Sequence, residues 1–420
     1  MTLAAAIKAV SDTRKSAARL DLNRHLFCAG NFGKCVPWLT TDMLLAWRLH
    51  AEVGLAGEAV GQVLFLFLSV GALATLGAGY LMTALGLSPH KLLWLQLGGA
   101  IVTGVSFVLQ FTALDLGVVL AAGLAFRVGY ALQDIPQKAL SSILPRDDED
   151  TRRYVRLQTM LSPIAKLAIT LAYLWAGGRL VGLALPVLSL VAIGVVVSAA
   201  LMLGVRPTAP MPAAEPTVLE RRRAPAGWGA VFLVICVAAI ILPVTRRLLI
   251  FAPDADGWRN LGAWFLCAFC AGSILGPGVL KRLERAFGAA RALIAIAGVA
   301  AVTAWAQAMG EAQTAPRLVA ALVHGVAIGA LLTSMWTAVA LLARDDAART
   351  GRRRDAAIFG IAIAATHAAG AVGALIVGPL IEGAGRHDLA SMTGAALATS
   401  IAAVAMAWLL LRRERAGQLA

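Results

Sequence analysis

Long apolar stretches alternate with short polar gaps along this chain, and the alternation predicts its architecture. In the first half the apolar stretches run over 26–49, 57–84, 91–113, 116–145, 157–178 and 180–204. In the second half they run over 227–252, 259–280, 289–310, 315–343, 356–381 and 389–411. Each is long enough to cross a hydrocarbon core of about 30 Å, which takes about 20 helical residues. The proline- and charge-rich segment 205–226 separates the two sets and reads as a linker. Residues 1–25 are polar to amphipathic, with Lys8, Arg14, Lys15, Arg19 and Arg24, and read as a tail. They are not a cleavable signal, because the apolar stretch that follows is span-length and no small-residue cleavage site is evident. A second short tail covers 412–420. The pattern predicts an all-α polytopic membrane protein with twelve transmembrane helices in two six-helix bundles, 26–204 and 227–411.

A charged segment repeats at half-length. Arg146-Asp147-Asp148-Glu149-Asp150-Thr151-Arg152-Arg153 returns 198 residues later as Arg344-Asp345-Asp346, followed by Arg349 and Arg352-Arg353. Each copy joins one apolar stretch to the next, so the two halves read as repeats of one another, as membrane transporters often are.

Composition agrees: 59% of residues are hydrophobic and 14% charged, and the mean hydropathy is +0.78. The net charge of +14 does not indicate nucleic acid, because nearly all the basic residues sit in gaps between apolar stretches. Basic residues favour the even-numbered connections, so the positive-inside rule places both termini in the cytoplasm. The expected location is a bacterial inner (plasma) membrane, with the lipid bilayer as partner and the chain a monomer. The five cysteines lie in or beside apolar stretches, with no second pair or histidine cluster near Cys267 and Cys270. No metal site and no cofactor is expected. No nucleophile, base and orienting group cluster in a motif, which argues against an enzyme.

Ionisable groups at membrane depth are the candidate functional residues, since each costs several kcal/mol unless paired or hydrated. The fourth stretch carries Arg127, Tyr130, Asp134 and Lys138, spaced to share a helix face, with Pro136 among them. The first carries Asn31, Lys34 and Asp42, the fifth Lys166, and the tenth and eleventh His324 and His367. Burying so many such groups calls for a water-filled cavity. Its excess of positive charge favours an anionic or strongly polar, oxygen-rich ligand. The acids and histidines can carry a coupling proton.

Three motifs carry a family resemblance over most of the chain. Gly30-Asn31-Phe32-Gly33-Lys34 resembles the Gly-x-Phe-Gly-Lys of the glycoside-pentoside-hexuronide:cation symporters. Asp134-Ile135-Pro136, followed by Ala139-Leu140 and an acidic-then-arginine loop, is similar to that family's fourth helix. Thr350-Gly351-Arg352-Arg353-Arg354-Asp355 through Gly360 is similar to its connection before the eleventh. The resemblance implies the major facilitator fold, a central substrate cavity between two pseudo-symmetric bundles, and secondary active transport by alternating access. The chain also departs from the family. Cys35 stands where an acid is usual, Ser69–Tyr80 has no carboxylate, Gln137-Lys138 replaces an aromatic pair, and His367 replaces a lysine. Of the family's site acids only Asp134 carries over, as a sugar- or cation-site acid.

The expected function is therefore transport, proton-coupled or by uniport, of a polar, anionic or sugar-like small solute. Two alternatives remain open: efflux of an amphipathic metabolite or drug, and a transport-dead receptor on the same scaffold. The repeated loops are expected to form a cytoplasmic gate, with Asp147, Asp148, Arg152 and Arg153 facing Asp345, Asp346, Arg349 and Arg353. Exposed pairs worth about 0–1 kcal/mol each suit a latch between near-equal states.

Overall fold

The computed structural model describes residues 3–175, 185–206, 261–309 and 314–382. The predicted spans at 227–252 and 389–411, the linker from 207 onward and the C-terminal tail lie outside the described residues. Ten helices are described, and the described residues contain no strand. We number them α1 (Leu3–Ala51), α2 (Gly57–Ala84), α3 (Pro89–Thr112), α4 (Leu116–Ile143), α5 (Asp148–Trp175), α6 (Leu185–Met202), α7 (Leu261–Phe287), α8 (Ala289–Met309), α9 (Thr314–Thr350) and α10 (Asp355–Glu382). Among the described residues, eight are long and apolar enough to cross a membrane. Large apolar side chains face outward along their flanks, among them Trp94, Val105 and Leu109 on α3 and Leu190, Ile193 and Val197 on α6. Apolar residues on the outside and glutamines on the inside (Gln96, Gln110, Gln133 and Gln137 are fully buried) suit a lipid surround.

Local chemistry sets the helix ends. Ser88 caps α3 ahead of Pro89, and Asp115 Oδ1 accepts the Val118 amide at 2.9 Å to cap α4. Several ends differ from the sequence reading: α5 begins at Asp148 rather than 157 and α7 ends at Phe287 rather than 280, and two further cases have a local cause. Helix α1 begins far upstream of residue 26, because no glycine or proline interrupts the alanine-rich stretch before it. Helix α9 runs seven residues past the predicted boundary at 343, to Thr350. It stops only at Gly351, whose φ of +64° suits a residue without a side chain. The corresponding end of α4 comes earlier because Pro145 follows Leu144 and disfavours a further helical turn. The two charged repeats thus start alike and fold differently.

Small residues govern helix contacts. Gly272 and Gly276 of α7 meet Leu322, Val326 and Ala330 of α9, while Gly325 and Gly329 of α9 meet Phe269 and Ser273 of α7. A Cβ added at Gly272 would lie 1.9 Å from the Leu322 carbonyl oxygen, so the backbones touch there. Gly79 of α2 and Gly360 of α10 allow the same approach between the halves. The halves meet chiefly through α2 against α10 and α5 against α7, with α4 and α5 also reaching α9.

Candidate functional site

A cavity of about 260 Å³ lies between the halves, lined from α1, α2, α4 and α5 on one side and α7, α9 and α10 on the other. On α1 the lining positions Asn31, Lys34, Trp38 and Asp42 recur every three or four residues and so share one face. On α4, Tyr130, Asp134 and Lys138 do the same, and on α5, Gln158, Ser162 and Lys166. Lys34 is 1% exposed and Asp134 4%. Their side chains form a direct charge-assisted hydrogen bond, Lys34 Nζ donating to Asp134 Oδ1. The pair holds α1 to α4 within the first half. Asn31 and Gln158 tie α1 to α5 through two 3.3 Å bonds, one to the Gln158 carbonyl and one between the side chains.

The opposite wall has another character. Phe269, Ile328, Leu332, Met335, Trp336 and Ile363 face the cavity, with Ser273, Thr366 and His367 as the polar exceptions. Among the described residues, every lysine and carboxylate of the lining comes from the first half: Lys34, Lys138 and Lys166 against Asp42 and Asp134. Contacts cross the cavity at three levels. Lys138 Nζ sits 3.9 Å from the centre of the Trp336 ring, Thr159 Oγ1 lies 2.8 Å from Thr333 Oγ1, and His367 stacks on Trp38 at 4.9 Å.

Most sequence-predicted residues converge here: Asn31, Lys34, Asp42, Tyr130, Asp134, Lys138, Lys166 and His367. Two do not. Arg127 is buried behind the lining, its guanidinium 4.6 Å from the Trp38 ring and 5.7 Å from that of Phe126. It shares α4 with Asp134 but lies seven residues away, one layer back from the cavity. His324 lies within the second half, its Nδ1 3.0 Å from Thr303 Oγ1 and 3.2 Å from the Ala300 carbonyl, on the far side of the wall. Trp38, Gln158 and Trp336 were not singled out in the sequence. Trp38 sits one turn after Lys34 and one before Asp42, so the spacing of the charged residues marks it.

The predicted gate takes a narrower form. Arg344 of α9 crosses to the first half, its guanidinium donating to the carbonyls of Pro145 at 2.9 Å and Arg146 at 3.2 Å, with Asp148 at 3.5 Å. The Ser142 hydroxyl lies 2.7 Å from Asp355 Oδ1, and Thr83 Oγ1 accepts the Ala357 amide at 3.0 Å, so α4 and α2 together hold the start of α10. Further bonds lie within one half. Asp147 caps α5 by accepting the Asp150 amide at 2.8 Å, and Asp346 binds Arg354 at 2.6 and 2.9 Å. Arg353 lies 3.9 Å from Asp355, and Arg153 is exposed. Arg152 and Asp345 line one cleft of about 670 Å³ between α5, α7 and α9, with Arg156, Lys281 and Glu284. The Arg349 side chain lies outside the described residues.

Solved structures resemble this one in fold. The human organic anion transporter MFSD10 matches with a TM-score of 0.67 at 12% identity, covering 92% of this chain and 99% of that one. The fucose:proton symporter FucP of E. coli matches with a TM-score of 0.65 at 14% identity, covering 92% and 98%. A bacterial homologue of the iron transporter ferroportin, in an outward-facing state, matches with a TM-score of 0.61 at 14% identity, covering 94% and 98%. A search of curated protein sequences finds no match. The family model described as MFS/sugar transport protein matches residues 26–411, from α1 to beyond α10. The chain therefore belongs to the MFS/sugar transport protein family, and is an integral membrane protein that carries a small solute by secondary active transport.

Proposed function

We propose that this transporter moves a polar solute of anionic or sugar-like character, coupled to protons, by alternating access to the cavity between its halves. The observation that carries this reading is the lining: three lysines against two aspartates in a chamber of about 260 Å³, flanked by the amide and hydroxyl groups of Asn31, Gln158, Thr159 and Tyr130. A carboxylate or a set of sugar hydroxyls satisfies such groups, and in a low-dielectric site the charge excess favours an anion. Ser69–Tyr80 carries no carboxylate, so the positions a sodium-coupled relative would use are not acidic here, which supports a proton rather than sodium as the coupling ion. FucP, which shares the fold, is named as a proton symporter.

In this reading the two bundles are 26–204 and 227–411, the termini are cytoplasmic, and the chain works as a monomer in a bacterial inner membrane. The Arg344 and Asp355 contacts close the cytoplasmic end and release when the halves rock. The apolar second-half wall supports a second reading, in which the solute is an amphipathic anion and the direction is efflux.

Uptake into proteoliposomes of glucuronate, neutral hexoses and small aryl carboxylates, with and without an inward proton gradient, tests both. Gradient-stimulated uptake of glucuronate or a hexose, indifferent to sodium and abolished by a protonophore, is expected. Transport of aryl carboxylates alone establishes the second reading, and sodium-stimulated uptake overturns proton coupling.

A further inference from the structure

We infer that His367 is the group on which the coupling proton rides, and that its proton releases the contact between α10 and the first half at the level of the cavity. The inference rests on the proton-coupled reading above and names the residue that performs it. Among the described residues, His367 is the titratable side chain that the second half presents to the cavity. It is 7% exposed and bears on two first-half elements at once: it stacks on Trp38 of α1, and its Nδ1 would be 3.2 Å from a Cβ on Gly71 of α2. Asp134 is placed differently. It is already bound to Lys34 within the same half, so rocking the halves leaves that pair unchanged. A proton couples to motion only where the two states bind it differently. The environment of His367 must change when α10 leaves α1 and α2, whereas that of Asp134 need not.

The charges around His367 give the direction. From α4, Arg127 reaches the same point beside Gly71, its Cδ 3.6 Å from the position a Cβ would take, and its guanidinium already occupies the Trp38 ring at 4.6 Å. Tyr130 of α4 stacks on Trp38 at 4.4 Å, Asp134 faces the imidazole with its charge compensated by Lys34, and Asp42 of α1 lies on the same cavity wall. The ionisable residues of α2, Glu58 and Tyr80, lie toward its ends, and α9 contributes Leu332 and Trp336 to this level. An imidazolium here adds a second cation to a ring that already holds one. A proton taken from water onto the ring therefore favours separation of α10 from Trp38 and Gly71, and its return to water on the other side favours closure.

The test needs no solute, because the proton is the ligand. Spin labels on Leu66→Cys of α2 and Val372→Cys of α10, both exposed, are placed in the full chain with its native cysteines replaced. The inter-label distance distribution is then measured at pH 8 and pH 5. We expect the ratio of two distance populations to change at least about tenfold, corresponding to roughly 1.4 kcal/mol. His367→Gln holds the pH 8 distribution at both values, His324→Gln, outside the cavity, keeps the shift, and His367→Arg, permanently charged, holds the pH 5 distribution. A shift that survives in His367→Gln, a shift lost in His324→Gln, or no shift in the parent overturns the inference. Gradient-driven uptake measured on the parent separates the failures: coupled uptake without a His367-dependent shift sinks the inference alone, and uncoupled uptake sinks the reading beneath it.

Discussion

Helices α4 and α9 occupy the same place in the 198-residue repeat and present the same positions to the cavity with opposite chemistry. Tyr130 corresponds to Ile328, Asp134 to Leu332, and Lys138 to Trp336, and all six line the chamber. The last two meet across it, the lysine of one half over the indole of the other. Behind them Arg127 corresponds to Gly325, a cation on one side and a close helix contact with Phe269 on the other. Chain path is duplicated here, but chemistry is not. The first half concentrates the fixed charge, and the second supplies an apolar wall and tight glycine packing.

Breaking the charged side should have the largest effect. Lys34→Ala leaves Asp134 buried without its partner, a loss of about 3–5 kcal/mol where a buried pair is opened from one side. Transport should fall at least about a hundredfold and the thermal transition should drop sharply, both measured on purified protein. The double variant Lys34→Ala with Asp134→Ala removes both charges. It should recover most of the thermal stability and none of the transport. If the double variant transports normally, the pair serves folding alone and the contrast between α4 and α9 loses its functional meaning. Replacing Leu332 with Ala on the other wall should cost far less transport.

The gate tests the same contrast at intermediate size. Arg344 and Arg146 are repeat equivalents, yet the Arg344 guanidinium is buried on two carbonyls of the other half while the Arg146 side chain is exposed. Hydrogen bonds to a charged group contribute about 1.5–3 kcal/mol. Arg344→Ala should therefore shift the balance toward opening at that end by about tenfold or more. The readout is labelling of Cys35, which lines the cavity, by an impermeant maleimide applied from the side that bears Arg344, with the other cysteines replaced. Arg146→Ala should change that rate less than about twofold, as exposed charges do. Equal effects would mean that the two repeats act symmetrically.

The charged repeat, the apolar alternation and the i, i+4 spacing made the fold and the first-half wall legible in sequence. Lys34, Asp134 and Lys138 stand out because a charge at membrane depth needs a reason. The second-half wall was not legible, because Leu332 or Trp336 on an apolar helix reads the same whether it faces lipid, core or cavity. The gate was only partly legible. Sequence gives the charges but not the partners, and Pro145, absent at the equivalent Ala343, lets one copy cap a helix while the other extends one. Arg127 shares nearly the same helix face as Asp134 but is not among the lining residues, its guanidinium lying over the Trp38 ring at 4.6 Å.

His324 provides the smallest expected effect and the cleanest check on which buried polar groups belong to the site. In sequence it resembles His367, a histidine on an apolar helix of the second half. In the fold it lies 3.0 Å from the Thr303 hydroxyl and 3.2 Å from the Ala300 carbonyl, with the Phe269 ring 6.0 Å away, so α9 uses it to bind α8. A neutral hydrogen bond of this kind contributes about 0.5–1.5 kcal/mol. His324→Gln, which keeps a donor and an acceptor, should lower the thermal transition by only a few degrees. Uptake and its dependence on a proton gradient should stay within about twofold of the parent. A large loss of gradient dependence would place a proton path through α8 and α9, in the half that otherwise contributes an apolar wall.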